Sequence, residues 1–212
     1  MIEVFDEGLH AGVNLALEVG TVLYRDKTEH QDLMIFENNT FGRVMSLDGA
    51  VQTTEMDEFI YHEMIAHVPL LTHQKAKRVL VIGGGDGGTV REVLKHQHLE
   101  TVTMVELDEE VIKASKLHLP NLSKSLSHPK LEVIFGNGIQ YLKESSSTSF
   151  DVILVDTPSA QQATDAQIVA QKTHAAMIVG RKDKTQTNEI VQLTQVMGGS
   201  GIQILGATLN NY

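Results

Sequence analysis

The segment from Arg78 to His96, "RVLVIGGGDGGTVREVLKH", restricts the fold more than any other part of the chain. A short apolar run, five glycines around one aspartate and a helix-forming run read as strand, tight loop and helix. Gly83, Gly85 and Gly88 satisfy G-x-G-x-x-G, a spacing that lets the backbone approach a phosphate at a helix N-terminus. Asp86 argues against that guest. Two like charges about 4 Å apart at an effective dielectric of about 20 repel by roughly 4 kcal/mol. A cation such as a sulfonium or an ammonium suits the loop better; the alternative is that Asp86 does no more than cap the helix. A Walker A motif is excluded, because no Lys-Ser or Lys-Thr follows the glycines.

After this loop, apolar runs and helical runs alternate. Strands are expected at 78–82, 101–106, 131–135, 151–155, 175–180 and 202–207, and helices at 87–97, 109–117, 138–144, 163–172 and 186–197. The pattern implies an α/β fold with a doubly wound, mostly parallel, Rossmann-like sheet covered on both faces. Residues 20–54 differ. Short apolar runs there are punctuated by Asn38-Asn39 and Asp48-Gly49, which predicts three or four antiparallel strands. The expected organisation is an antiparallel β domain at 1–55, a connecting helix and linker at 56–77, and a nucleoside-binding domain at 78–212. In "MDEFIYHEMIAHV" (56–68), Phe59, Ile60, Met64 and Val68 fall on one helical face, with Ile65 and His67 near its edges, and Pro69 is expected to help end the helix.

Ligands of such sheets sit at the carboxyl ends of the strands. Glu106 ends the second strand, 23 residues after Gly83, where an acid can accept both hydroxyls of a ribose or can simply be an exposed charge. Asn137-Gly138 follows the third strand and can meet a base edge or form an ordinary turn. Asp156 follows the fourth, in "FDVILVDTPS", and can act as a general base or cap the next segment. Tyr61, His62 and Glu63 come from the N-terminal side. His67 falls one residue too late for H-E-x-x-H, so no metal site is expected.

Composition narrows the partners. The net charge is −10, and residues 1–150 hold 22 acidic against 13 basic side chains. An acidic chain repels nucleic acid and favours small cations, although acidity also serves solubility alone. The absence of cysteine excludes disulfides, thiolate metal sites and a cysteine nucleophile. The first twenty residues have no basic stretch of a signal peptide, and no apolar run approaches the roughly 18 residues of a membrane span. A cytoplasmic location with no membrane partner is expected.

The stretches "YRDKTEHQDLMIFENNTFGRVMSLDGAVQTTEMDEFIYHEMIAHVPLLTH", "RVLVIGGGDGGTVREVLKH" and "VTMVELDEEVI" together resemble the polyamine aminopropyltransferases, the bacterial spermidine synthases, over about residues 18–157. The resemblance implies an N-terminal β domain, a methyltransferase-like Rossmann domain and a homo-oligomer. It also implies transfer of an aminopropyl group from decarboxylated S-adenosylmethionine to putrescine, giving spermidine and methylthioadenosine, with no prosthetic group. Carried over by position, Gln31 and Glu106 hold the nucleoside donor, along with the glycine loop (Gly83, Gly85) and Asn137-Gly138. His62 and Asp86 contact the diamine with Tyr61 beside it, and Asp156 matches the catalytic aspartate.

Two departures stand out. The family usually has Asp-Gly where this chain has Asn137-Gly138. After Asp156 the family has a second aspartate, where this chain has Ser159, and then a gate loop that is replaced here. "FDVILVDTPSAQQATDAQIVAQKTHAAMIVGRKDKT" and "GIQILGATLNNY" are instead similar to the C-terminal part of bacterial P-loop tyrosine kinases of exopolysaccharide export. A chimera joined within 150–156 is therefore inferred. With no Walker A lysine and Tyr212 in place of a tyrosine cluster, kinase activity is not expected. An inactive nucleoside- and polyamine-binding module is the alternative to a transferase.

Overall fold

The computed structural model describes residues 3–10, 12–146, 149–155, 175–181, 187–199 and 201–210. The antiparallel region starts earlier than its turn signals suggest. Strands β1 (Glu3–His10) and β2 (Val13–Val19) form a hairpin. A four-stranded antiparallel sheet follows, with β3 (Val22–Lys27), β4 (Asp32–Asn38), β5 (Gly42–Leu47) and β6 (Ala50–Thr54) in sequential order. The run "LMIF" in β4 lacks the alternation of a half-exposed strand, and the packing shows why. Leu33 and Ile35 face one core with Met45, Val111, Ala114 and Leu122, while Met34 and Phe36 face another with Leu17, Val19 and Val44. Both faces of this sheet are covered, so both phases of the period-two pattern are apolar.

Helix α1 (Glu58–Thr72) leads into the parallel sheet. Its buried line is Glu58, His62, Ala66 and Leu70, at i,i+4 spacing, and not the expected face; Phe59 is 47% exposed. Two of these four positions are polar and ion-paired, so hydrophobic periodicity missed them. Pro69 does not stop the helix. It lies in the last turn, which continues to Thr72 with the His73 N–H donating to the Pro69 carbonyl.

The parallel sheet has the order β10-β7-β8-β9, built from β7 (Arg78–Ile82), β8 (Thr101–Glu106), β9 (Leu131–Phe135) and β10 (Val152–Val155). The connections are α2 (Gly88–Val93), then α3 (Glu109–His118) with the short α4 (Pro120–Ser123) and a 3-10 turn at Lys124–Ser127, then α5 (Gly138–Glu144). Helix α2 is shorter than the expected 87–97, because the Lys95 and His96 N–H groups bond three residues back and close it. Val79 and Val81 pack with Ala66, Leu70, Val90 and Val93 on one face, while Leu80 and Ile82 pack with Leu142 on the other. The strand order reverses between β10 and β8 around β7, which makes the carboxyl end of β7 the switch point where ligands bind in such sheets.

Strands β11 (Ala175–Arg181) and β12 (Gln203–Asn210) pair in parallel around α6 (Thr187–Gly199). Among the described residues this pair is not hydrogen-bonded to the four-stranded sheet, whereas the sequence suggested one continuous sheet. The helix expected at 163–172 lies outside the described residues. Among those described, no helix is long and apolar enough to cross a membrane.

Asp151 anchors β10 to β7. Its Oδ2 accepts from the Lys77 and Arg78 N–H groups at 2.8 and 2.9 Å, and its Oδ1 takes the Arg78 guanidinium at 2.8 Å. The Arg78 hydrogen bond lowers the Asp151 pKa below its ordinary value. Asp151→Ala should cost about 1–3 kcal/mol at pH 7, read from denaturant midpoints. Because the folded-state pKa is the lower one, that contribution is present above the unfolded value near 3.9. The gap between parent and variant should therefore close as pH falls below about 4.

Candidate active site

The glycine loop at the end of β7 is shaped by what surrounds it. Gly83, Gly84 and Gly87 have φ of 81°, 81° and 89°, which only glycine adopts without strain. Gly85 and Gly88 serve close approach instead. A Cβ on Gly85 would stand 2.9 Å from Glu106 Oε2, and one on Gly88 would stand 2.2 Å from His62 Cε1. The loop glycines thus hold open the space that two site residues occupy.

Asp86 and Glu106 are both buried, at 7% and 8% exposure. Asp86 Oδ1 accepts from the Gly88 N–H at 2.8 Å, and Oδ2 faces His62 Nε2 at 3.3 Å. Asp86 thus engages the first N–H of α2 and the His62 ring at once. Burial raises the Glu106 pKa, opposed by hydrogen bonds from the backbone of Asp108, Leu107 and Gly85. The Asp108 N–H donates to Glu106 Oε1 at 3.0 Å, while Asp108 Oδ1 caps α3 by accepting from the Glu110 N–H. Asp108 Oδ2 receives Gln31 Nε2 at 3.0 Å and the Thr28 hydroxyl at 2.6 Å. Gln31, from the turn between β3 and β4, is thereby tied through its side chain to Asp108, whose N–H holds Glu106.

His62 lies between two carboxylates. Its Nδ1 meets Glu58 Oε2 at 2.6 Å, opposite the Asp86 contact. Burial disfavours the charged ring, but the Asp86 and Glu58 hydrogen bonds outweigh it and raise the pKa to about 10. Arg91 forks onto Glu58, 2.8 Å to each oxygen, and its Nε reaches Glu92 at 2.8 Å. Burial would raise the Glu58 pKa; His62 and Arg91 together hold it at about 2. Glu92 also contacts Lys95, and His67 at 3.2 Å, with His67 in turn 2.8 Å from His96. Tyr61 presents its ring edgewise to His62 at 5.4 Å and is 40% exposed.

Asn137 caps α5, its side-chain oxygen accepting from the Gln140 N–H at 2.9 Å. Gly138 fits closely there, since a Cβ would stand 2.3 Å from Ile82 Cγ2. The strand ends are cross-linked, with the Gly83 N–H on the Val105 carbonyl and the Gly136 N–H on that of Glu106. Strand β10 ends at Val155, whose register partner is Ile82. Asp156 and Ser159 lie outside the described residues. Among the described residues, no group of three acidic or histidine side chains is arranged to hold a metal ion.

Sequence reading overlooked Glu58, Arg91 and Asp108. Glu58 stands four residues before His62, a helical spacing at which side chains meet, and Asp108 precedes "EE" at a helix start. Arg91 carried no local signal for its grip on Glu58, because Glu58 comes from another helix. The raised His62 pKa has a measurable consequence. Its stabilising contribution is complete below the ordinary value of 6.5 and is lost as pH rises toward about 10. His62→Gln should cost about 3–5 kcal/mol near pH 6 by leaving buried charge unpaired. Urea midpoints of parent and variant should converge as pH is raised toward 10.

A sequence model of the spermine/spermidine synthase domain matches residues 58–183, and one of the spermidine synthase tetramerisation domain matches residues 3–55. The polyamine aminopropyltransferase of Pectobacterium atrosepticum is 52% identical over 155 residues, covering 73% of this chain and 54% of the relative. That of a Thermoanaerobacter species is 49% identical over 153 residues, covering 72% and 55%. A crystal structure of spermidine synthase with the transition state analogue AdoDATO superposes with a TM-score of 0.71 at 42% identity, covering 73% of this chain and 54% of that one. Spermidine synthase from Thermotoga maritima gives 0.74 at 38% identity, covering 80% and 57%. The chain spans about half the length of the curated relatives it matches. With these matches and with the strand order and glycine loop described above, the chain belongs to the spermine/spermidine synthase family.

Proposed function

We propose that this chain transfers an aminopropyl group from decarboxylated S-adenosylmethionine to putrescine, forming spermidine and methylthioadenosine. The observation that supports this most is the pair of buried carboxylates, Asp86 in the glycine loop and Glu106 at the end of the neighbouring strand, on the carboxyl edge of the parallel sheet. One suits an ammonium and the other a ribose. In this reading Gln31, Gly83, Gly85, Glu106, Asn137 and Gly138 bind the nucleoside, and Tyr61, His62 and Asp86 line the diamine side.

The chemistry is a displacement at the carbon attached to the sulfonium. The amine lone pair forms the new C–N bond, the C–S bond breaks, and its electron pair returns to sulfur as a neutral thioether. The leaving group needs no acid. The attacking amine must lose a proton, and with an ordinary pKa near 10.4 that costs about 4.6 kcal/mol at pH 7. Asp156 is the group proposed to take it. No prosthetic group enters the reaction. Homo-oligomerisation through residues 3–55 and a cytoplasmic location, away from membrane and nucleic acid, belong to the same proposal.

Asn137 in place of the family's aspartate and Ser159 after Asp156 favour a second reading, a binding module without turnover. The tail from about 157, with its likeness to exopolysaccharide tyrosine kinases, extends that reading to a chimera. ATP at about 100 times its dissociation constant would add about 2.7 kcal/mol to the stability of a nucleotide-binding tail, and no thermal shift counts against one.

Incubation with decarboxylated S-adenosylmethionine and putrescine should release methylthioadenosine. No product above background at high enzyme concentration rejects the transferase, and calorimetric heat with methylthioadenosine but no turnover selects the binding module. Asp86→Ala should raise the KM for putrescine about tenfold or more, the loss of one hydrogen bond to a charged group. Light scattering on the eluting protein should give a multiple of the chain mass; a monomer at all concentrations removes the proposed assembly.

A further inference from the structure

Glu58 and Arg91 lie behind the site, and the proposed reaction does not use them. Both are buried or nearly so, with side-chain exposures of 8% and 15%. Arg91 grips both oxygens of Glu58 at 2.8 Å, the fork geometry that fixes a carboxylate in plane as well as in position. Glu58 then meets His62 Nδ1 at 2.6 Å. The ring has no freedom left on its other side. It lies against Gly88 so closely that a Cβ there would fall 2.2–2.6 Å from three of its atoms. A half-turn of the imidazole would set carbons where Glu58 and Asp86 now meet nitrogens. Asp86 is consequently fixed at both oxygens, by the Gly88 N–H and by His62.

We propose that the Glu58–Arg91 pair is a positioning clamp, which fixes the His62 ring and through it the Asp86 carboxylate in the orientation that receives the ammonium of the acceptor amine. This rests on the proposed role of Asp86. The groups facing His62 are Glu58 and Tyr61 on its own helix, Asp86 on the glycine loop and, through Glu58, Arg91 on α2. The clamp acts on the diamine side alone. Glu106 and Gln31 are tied to Asp108, on a separate set of hydrogen bonds.

Two variants test it, Glu58→Gln and Arg91→Lys. The readouts are the nitrogen resonances of the His62 ring against pH and the calorimetric affinities for putrescine and for methylthioadenosine. Glu58→Gln should lower the His62 titration midpoint by more than about one pH unit. It should weaken putrescine about tenfold, with methylthioadenosine changed less than about twofold. Arg91→Lys keeps the charge but loses the fork, and should fall between parent and Glu58→Gln on both measures. Unchanged His62 titration and putrescine affinity in a folded variant overturn the proposal. Equal loss of both ligands also overturns it, since that marks general loosening of the fold. If Glu58→Gln does not fold, Arg91→Lys decides on the same readouts. If the parent itself fails to bind putrescine, the proposed function fails, and the His62 titration still decides whether the clamp exists.

Discussion

A row of charges of alternating sign, Asp86, His62, Glu58, Arg91 and Glu92, ties the glycine loop, α1 and α2 together. Burying any one of these ions alone would be prohibitive, and the effective penalty for a single unpaired ion in a protein is several kcal/mol. In sequence, each compensates the next. Glu58 holds a guanidinium on one side and an imidazolium on the other, and Glu92 answers Arg91 and Lys95. The cost of the arrangement is that no member can leave without stranding its neighbours. The benefit is a strand-to-helix loop whose acid cannot relax toward solvent. The usual apolar contacts continue the same α1–α2 seam at Ala66, Leu70, Val90 and Val93.

Much of this architecture was readable before the fold was known. The parallel strands and α3 and α5 come from apolar periodicity, and the helix expected at 109–117 is found at Glu109–His118. What failed did so for physical reasons. The buried face of α1 carries Glu58 and His62, which a hydrophobicity pattern assigns to solvent. The hairpin of β1 and β2 was overlooked because its alternation is blurred by exposed Val4 and Val13, while Leu15, Leu17 and Val19 find their core against β4 and β5. In the candidate site, Asp86, Glu106 and Gln31 were legible from motif and resemblance, while the ion pairs that orient them depend on helix α2 lying on α1, which no local window contains.

The antiparallel sheet is no appendage. Leu33, Ile35 and Met45 share a core with Val111, Ala114, Leu119 and Leu122, and Arg43 reaches the carbonyl of His118 at 2.6 Å. The Thr28–Gln31 turn sits at the edge of that contact, where the Thr28 hydroxyl accepts the His30 and Gln31 N–H groups and donates to Asp108. A side chain from one sheet is thus set against the strand ends of another by an apolar interface, which supplies the free energy, and by one carboxylate, which supplies the alignment.

Asp151 adds a metric consequence. Strand β10 is only four residues long, and its side chains alternate, Leu154 toward one core and Ile153 and Val155 toward the other. A slip of one position would move the end of the strand by about 3.3 Å and exchange its two faces. The anchor at the near end, fastened to Lys77 and Arg78, 74 and 73 positions earlier, therefore works as a ruler for the far end. It fixes both the height and the phase at which the chain leaves the sheet, one residue before Asp156.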